Sequence, residues 1–172
     1  QGLATADNNR FLRLWFEINT DKIGFGFKNM TIASQSNFKW FPHNKGGEKR
    51  KWYGNQEYVV NWENNGYEIK NFRDSNGKIK SRPQNLEYSF KSCISWSDVT
   101  SGMNSFRYYP EGFTLNVTGL CYYTTDYEAL LSVLNNKVFN VFTKLINPTI
   151  HFTTGDLLNL PYAPLIKLKT KE

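Results

Sequence analysis

Over the first 123 residues, apolar and polar positions alternate in short runs, and these runs are separated by residues typical of turns. Residues 11–18 (FLRLWFEI) predict a strand buried on both faces, with a short helix as the alternative. The same reasoning predicts further short strands at 38–41, 58–62, 87–90, 94–96, 106–109 and 113–117. Asn64-Asn65-Gly66 is typical of a hairpin turn and predicts another strand at 67–69. A second turn is predicted at 74–77.

The pattern changes to a helical period after residue 124. Thr125 and Glu128 have the spacing of a capping box, which predicts a helix start. Apolar residues then recur at helical spacing and are expected to pack in the core: Leu130, Leu131, Leu134, Val138, Phe142, Leu145 and Ile146. Asn135-Asn136 is expected to divide the run into two helices, and Asn147-Pro148 to end it.

The predicted fold class is therefore α+β. An irregular, mostly antiparallel β-rich subdomain is expected over residues 1–123, followed by a helical hairpin and a C-terminal segment over 124–172. The length of 172 residues suits one domain, and the aromatic share of 16% favours a β-rich or surface-binding protein over a helical bundle. The first residues contain neither an initiator Met nor a signal sequence, so we expect a fragment of a longer protein.

Other features of the composition exclude several classes of protein. The sequence contains no run of about 18 apolar residues, the length that a membrane-spanning helix needs, so no membrane partner is expected. Cys93 and Cys121 are too few for a disulfide framework and are expected to be reduced thiols of a cytoplasmic protein. His43 and His151 have no flanking ligand pattern, so no metal site is expected. The motifs of hydrolases, metalloproteases and nucleotide-binding enzymes are absent, which predicts no catalytic residue in this chain.

The positive charge is concentrated in one quarter of the chain. Residues 39–82 carry ten bases and five acids, which accounts for +5 of the net charge of +6. A solvated surface loop is one explanation, and a face that binds an anionic partner is the one we favour.

The basic residues around Gly46-Gly47 predict contacts with a phosphate backbone, because glycines allow close approach and cations neutralise phosphates. The candidates for phosphate contacts are Lys45, Lys49, Arg50, Lys51, Arg73, Lys80 and Arg82. The candidates for contacts with base edges are Asn44, Asn55, Asn64 and Arg107. Trp52 and Tyr53 are expected either to stack on a base or to anchor the loop. A carbohydrate-binding β module is the alternative, since such modules are also rich in aromatic and asparagine residues.

Four motifs are similar to those of a known family. Residues 2–8 (GLATADN) with Phe11 are similar to its opening G-x-x-T-G-x-N-x-x-F, with Ala6 in place of the usual glycine. Residues 40–65 are similar to its W-x-P-x-N-K-G-G…R-K-W-Y-G-N…V-N-W-E-N-x-G block. Residues 95–107 resemble its T-W-S…S-S-G…R segment, and residues 137–161 its helical hairpin and G-D-I-x-N-L-P ending.

With these motifs, the chain resembles the target recognition region of adenine-specific DNA methyltransferases of the BREX phage-defence type and of related restriction–modification enzymes. The resemblance implies a fold like the C-terminal specificity domain of the TaqI methyltransferase. It also implies double-stranded DNA and an N-terminal methyltransferase domain of the same parent chain as partners. S-adenosylmethionine is implied for the parent and no cofactor for this fragment. The resemblance leaves open whether the parent also cleaves DNA.

Overall fold

The computed structural model describes residues 2–161 and confirms an α+β fold. Its strands are β1 Leu12–Leu14, β2 Trp40–Asn44, β3 Tyr58–Asn61, β4 Cys93–Ser97, β5 Arg107–Tyr109, β6 Thr114–Leu115 and β7 Gly119–Tyr122. Its α-helices are α1 Asn8–Phe11, α2 Met30–Ser34, α3 Glu63–Lys70, α4 Tyr127–Leu134, α5 Lys137–Ile146 and α6 Thr154–Leu158. None of these helices combines the length and the apolar composition that crossing a membrane requires. The part of the predicted C-terminal segment beyond residue 161 lies outside the described residues.

The first sheet has the strand order β1-β3-β2-β6. Its pairs are antiparallel except for β2 and β6, which run parallel. Its buried face packs large side chains from β1, β2 and β3, including Leu12, Phe41 and Val60, against Phe11 and Trp62. The alternation of apolar residues in these strands supplied this face, because side chains in a strand point to opposite sides in turn.

The prediction of one strand over 11–18 is correct only for Leu12–Leu14. Asp7 accepts a hydrogen bond from the Arg10 amide and so begins α1 immediately before the strand. A 3-10 helix, Trp15–Glu17, follows the strand, and the Glu17 carboxylate accepts from the Leu14 amide. The strand is short because both of its flanks are capped by local side-chain hydrogen bonds.

The strand predicted at 67–69 is wrong, because residues 67–70 complete α3. Asn64, Asn65 and Gly66 all have left-handed backbone, with φ of 51°, 58° and 69°. The Gly66 amide donates to the Trp62 carbonyl at 3.1 Å, and a Cβ on Gly66 would lie 2.7 Å from the Trp62 ring. Three left-handed residues in succession turn the chain against the indole, whereas a two-residue hairpin turn would have returned it along β3.

Two other sheet predictions also need correction. Residues 87–90 do not form a strand, since Leu86–Tyr88 is a 3-10 helix that follows a left-handed Asn85. β7, which was not among the predicted strands, pairs with β4 in the second sheet. That sheet is antiparallel throughout, with the order β5-β4-β7. The predicted turn over 74–77 is confirmed by hydrogen bonds between Asp74 and Lys78 and from Gly77 to Asp74.

The helices cover the second sheet and share its core. Trp96, Phe106 and Leu120 pack with Leu131 and Leu134 of α4 and with residues of the α6 region. The Trp96 indole donates to the Phe152 carbonyl at 2.7 Å. Residues on both sides of position 123 therefore contribute to one core, while the proposed division of the chain at that position remains a prediction.

The helical hairpin is confirmed, although its start differs from the prediction. The residue that precedes α4 is Asp126, whose amide donates to Thr124 Oγ1, so the capping box of Thr125 and Glu128 does not form. The break at Asn135-Asn136 is confirmed, and Asn136 Oδ1 accepts from the Val138 amide at the start of α5.

The expected core packing of the apolar hairpin residues is correct for α4 and wrong for part of α5. Leu131 and Leu134 are buried, but Val138 and Leu145 are exposed. The buried face of α5 instead includes Asn140 and Thr143. Helical spacing shows that the apolar residues share a face, but it does not show which neighbour covers that face.

Candidate nucleic-acid interface

The candidate interface is the connection between β2 and β3, residues 45–57, which we call the basic loop. It carries four basic and two acidic residues. The two strands that it joins are antiparallel neighbours in the first sheet. The loop reaches the second sheet as well, through hydrogen bonds to β4, to β5 and to the turn that precedes β7. Its position is therefore fixed by both sheets.

The glycines of the basic loop pack closely against its surroundings. Gly46 and Gly47 have positive φ, at 80° and 135°. A Cβ on Gly46 would lie 2.9 Å from the Thr118 carbonyl oxygen. The Gly47 amide donates to Ser97 Oγ at 3.1 Å, and Ser97 Oγ donates to the Gly47 carbonyl at 2.7 Å. The Gly46 amide donates to Asn44 Oδ1 at 3.3 Å. Both glycine amides are thus used inside the domain, and the expectation that they approach a phosphate is replaced by a packing role.

Lys45 lies beside a surface cavity at the start of the basic loop. Its Nζ is 4.2 Å from the centroid of the Tyr58 ring, within the range of a cation–π contact. The cavity has a volume of about 290 Å³ and is also lined by Ser97 and Thr118. Thr118 Oγ1 donates to the Lys45 carbonyl at 2.6 Å. Both hydroxyl hydrogens are donated to backbone carbonyls of the basic loop, so the Lys45 ammonium is the group at this cavity that suits an anionic oxygen.

Two of the asparagines predicted to contact base edges are buried. Asn44 is fully buried, and its Nδ2 donates to Ser95 Oγ at 2.8 Å and to Cys121 Sγ at 3.2 Å. Asn55 is 4% exposed, and its Nδ2 donates to the Glu48 carbonyl at 2.8 Å. These side chains hold the basic loop in shape. In this conformation they do not reach the surface.

Arg107 is also fully buried, and it lies behind the basic loop. Its Nη2 donates to Ser97 Oγ at 3.1 Å, the same hydroxyl that holds Gly47. Its Nη1 donates to the Ser105 carbonyl at 3.5 Å, and its Nε has no hydrogen-bond partner within residues 2–161. No carboxylate in that part of the chain forms an ion pair with it. An unpaired buried cation is costly, and its charge adds to the positive potential of the loop in front of it.

The tip of the basic loop is exposed and combines cations with aromatic rings. Lys49 and Arg50 are exposed, and Trp52 and Tyr53 are 52% and 64% exposed. Trp52 has left-handed backbone, with φ of 71°, which bulky residues rarely adopt. Its amide donates to the Phe106 carbonyl and its carbonyl accepts from the Tyr108 amide, each at 2.9 Å. Pairing with β5 therefore fixes the backbone of Trp52 while its ring stays accessible.

Lys51 has a structural contact that the sequence analysis did not foresee. Its Nζ donates to the Asn135 carbonyl at 2.6 Å, at the C-terminal end of α4. The Asn135 side chain meanwhile pairs with the backbone of Phe106, accepting from its amide at 3.0 Å and donating to its carbonyl at 2.8 Å. A lysine at a helix C-terminus satisfies a free carbonyl and interacts favourably with the helix dipole. Lys51 thus fastens the basic loop to the helical hairpin.

The second basic run lies outside the basic loop. Arg73, Lys80 and Arg82 are exposed on and beside the hairpin around the 74–77 turn. Arg82 pairs through its backbone with Ala4. Asn64 is exposed in the left-handed turn of α3. No hydrogen bond or ion pair between described residues joins these four side chains to the basic loop.

A buried histidine network supports the start of the basic loop. His43 is fully buried, with Nδ1 2.8 Å from Thr114 Oγ1 and Nε2 2.9 Å from Asn116 Nδ2. Burial, together with the charge of Lys45, lowers the pKa of His43 from 6.5 to about 3. None of the predicted site residues is His43, Asn116 or Ser97. Ser97 alone had a signal, since it belongs to the T-W-S motif.

Cys93 and Cys121 are free thiols beneath this region. Cys93 is buried in β4, and the hydrogen bond to Cys121, with burial, raises its thiol pKa well above the usual value. Within residues 2–161, no cluster of three or more His, Cys, Asp or Glu side chains is placed to hold a metal ion.

Comparison with known proteins relates the chain to two methyltransferases. It is 40% identical over 169 residues to "Adenine-specific methyltransferase PglX" of Lacticaseibacillus casei (strain Zhang), covering 95% of this chain and 14% of that protein. It is 35% identical over 156 residues to "Adenine-specific methyltransferase BrxX" of Escherichia coli O9:H4 (strain HS), covering 88% of this chain and 12% of that protein. A scan against models of protein families finds no match. The chain is therefore homologous to a segment of adenine-specific methyltransferases about one-seventh of their length.

Proposed function

We propose that this chain recognises the target sequence in double-stranded DNA for an adenine-specific DNA methyltransferase of the BREX type. The observation that carries the proposal is the exposed tip of the basic loop, where Lys49 and Arg50 stand beside the accessible rings of Trp52 and Tyr53. Homology to segments of two adenine-specific methyltransferases supports it.

The exposed cations supply the affinity in this proposal. Lys45, Lys49 and Arg50 contact phosphates along one stretch of backbone, and contacts of this kind fix the register of a protein on DNA without specifying sequence. Arg107 contributes through its charge from behind the basic loop. The second run of Arg73, Lys80 and Arg82 contacts the backbone at a separate place. Lys51 holds the loop on α4 through its bond to the Asn135 carbonyl.

The rings at the tip supply contacts with bases. An aromatic side chain held at a fixed backbone position can stack on a base or enter between two base pairs. Trp52 meets this requirement because two backbone hydrogen bonds fix it, one to Phe106 and one to Tyr108 of β5. Asn64 keeps its amide exposed and remains a candidate for a base edge. Asn44, Asn55 and Arg107 are assigned to the scaffold, in view of their burial.

The chemistry of methyl transfer belongs to the remainder of the longer enzyme in this proposal. That remainder binds S-adenosylmethionine and receives the target adenine, which must leave the base stack to be modified. This chain selects the site at which the adenine is presented. It lies beside the methyltransferase domain of the same polypeptide in the cytoplasm of a prokaryote.

A salt titration tests the proposed DNA binding. Fluorescence anisotropy of a labelled duplex should show an affinity that falls steeply with salt, with a slope of about −0.9 in log K against log[salt] per phosphate contact. The double variant Lys49→Gln/Arg50→Gln should flatten the slope by about 1.8. The matched control is Lys22→Gln/Lys91→Gln, which removes the same charge from two exposed lysines outside the basic loop. Equal slopes for the two double variants would contradict the proposed site.

The same assay separates DNA recognition from carbohydrate binding. A neutral oligosaccharide releases no counterions, so its affinity should barely change between low and moderate salt. Preference for an oligosaccharide over the duplex at all salt concentrations would replace the proposal with the alternative. Site selection is tested in the full-length enzyme by exchanging residues 45–57 for those of a relative and sequencing the methylated adenines. The methylated sequence should change while S-adenosylmethionine binding does not.

A further inference from the structure

An apolar stripe runs along the outward face of α5. The stripe consists of Val138, Val141, Phe142 and Leu145. These side chains are between 36% and 73% exposed. The inward face carries Asn140 and Thr143, both buried. Phe139 and Ile146 of α5 also face inward and pack against the core of the second sheet. α5 therefore carries apolar side chains on both its inward and its outward face, whereas a surface helix ordinarily exposes a polar side.

We propose that the apolar stripe docks an amphipathic helix from another segment of the full-length protein, one with acidic residues beside its own apolar seam. This rests on the proposed function only in taking the chain to be part of a longer methyltransferase. The aligned segments make up 14% and 12% of the two homologous proteins, so most of each lies outside the segment. The first alignment covers 95% of this chain and includes α5.

The spacing of the stripe favours a helix as the partner. Its members stand at i, i+3, i+4 and i+7, the positions that form a seam in paired helices. Val141 and Leu145 also line one side of a groove of about 250 Å³, and Met103, itself 41% exposed, lines the other. A helix laid along α5 would cover the seam and place a side chain in this groove.

The charges beside the stripe favour acidic residues on the partner. Lys137 and Lys144 are exposed, one heptad apart, and each immediately precedes a member of the stripe. Neither forms an ion pair with any residue between 2 and 161. Charged residues at these flanking positions select the partner in paired helices.

The same charges disfavour two other occupants. If a second copy of α5 packed antiparallel on the stripe, the flanking lysines of the two copies would lie beside each other. Like charges at such positions repel. The chain's own residues 162–172 contain three lysines and one glutamate, so that segment repels the flanking lysines as well. An acidic helix from elsewhere in the polypeptide avoids both conflicts.

Cysteine labelling of the full-length protein tests the docking. Leu145→Cys places a thiol on the stripe, and Ile32→Cys, at a side chain 51% exposed in α2, is the matched control. If the stripe is covered, maleimide should label position 145 more slowly than position 32 by about tenfold or more. Adding Lys137→Glu/Lys144→Glu should reduce the ratio of the two labelling rates by about fivefold, because the proposed ion pairs of the two lysines with the docking helix are lost. Equal labelling rates at 145 and 32 would overturn the proposal.

Photo-crosslinking identifies the occupant. A benzoylphenylalanine at position 145 of the full-length protein should attach to a segment of the same polypeptide outside residues 1–172, one that carries acidic residues at helical spacing. Attachment within residues 1–172, attachment to a second copy or no attachment would each overturn the proposal. Neither experiment contains DNA. A failure of the DNA titration therefore bears on the proposed function alone, and a failure here bears on the docking alone.

Discussion

Acidification from pH 7 to pH 5 should destabilise the folded chain through His43. Thr114 Oγ1 donates to the Pro42 carbonyl at 3.0 Å, so it can only accept from His43 Nδ1. Asn116 Nδ2 donates to His43 Nε2, while Asn116 Oδ1 accepts from the Thr118 amide at 3.0 Å. Both ring nitrogens are thus satisfied in the neutral imidazole. A proton on Nε2 would face the Asn116 amide donor, which cannot turn without losing the hydrogen bond from the Thr118 amide.

The size of the effect follows from the two pKa values of His43. In the unfolded chain the imidazole takes up a proton as the pH falls through about 6.5, whereas in the folded chain it stays neutral until the pH approaches 3. The unfolded state therefore binds more protons between these values, and the free energy of unfolding falls by about 1.4 kcal/mol per pH unit. The stability that the neutral, buried His43 contributes is present above pH 6.5 and is lost as the pH falls from there towards 3. Between pH 7 and pH 5 the loss is about 2 kcal/mol.

Urea denaturation at pH 7, 6 and 5, followed by tryptophan fluorescence, measures this loss. Between pH 7 and pH 5, the free energy of unfolding of His43→Gln should fall by about 2 kcal/mol less than that of the wild type. Both proteins contain His151, so its contribution cancels in this comparison. Asn116→Asp should also reduce the loss, because a carboxylate accepts a hydrogen bond from the protonated ring. If His43→Gln does not fold, an NMR titration of the wild-type His43 ring should show no protonation down to pH 5. Equal pH dependence in wild type and His43→Gln, or protonation of His43 near pH 6.5, would refute the reasoning.

Three further substitutions test other parts of the structure. Ala6→Gly should raise the free energy of unfolding by about 1 kcal/mol in urea denaturation, because Ala6 is exposed and has left-handed backbone with φ of 63°. Arg107→Met should leave the thermal stability equal or higher, because it removes a buried charge that forms no ion pair within residues 2–161. The same variant should bind DNA more weakly in the anisotropy assay. A large loss of thermal stability would contradict this prediction. Asn135→Ala should lower the free energy of unfolding by about 2 kcal/mol, because two buried hydrogen bonds to the Phe106 backbone are lost, and an unchanged urea midpoint would contradict this.

The sequence pattern correctly predicted structural features that depend on hydrogen bonds between residues close together in the chain. The break at Asn135-Asn136 follows from local hydrogen bonding, and the sequence contains it. The strand expected at 67–69 failed because the contact of Gly66 with the Trp62 ring decided the turn, and the dipeptide Asn-Gly alone does not encode that contact. The exposure of Val138 could not be predicted either, because helical spacing gives a face and not its neighbour.

The candidate site shows a more general limit. Asparagine and arginine contact base edges, but they also close polar networks inside proteins, and both uses need the same donors and acceptors. Burial decides between them, and it depends on residues far apart in sequence. Asn44 is buried against Ser95, and Arg107 is held by Ser97, which also binds Gly47.

The division between scaffold and tip has a consequence for how such a domain changes its target. Asn44 and Arg107 are buried, and each bonds to a second element, so substitutions there change how the basic loop is held. Lys49 and Tyr53 are exposed at the tip, and no described hydrogen bond of their side chains holds the loop in place. Exposed positions of this kind usually change stability by less than about 0.5 kcal/mol when substituted. The tip can therefore vary in sequence while the loop that carries it stays in place.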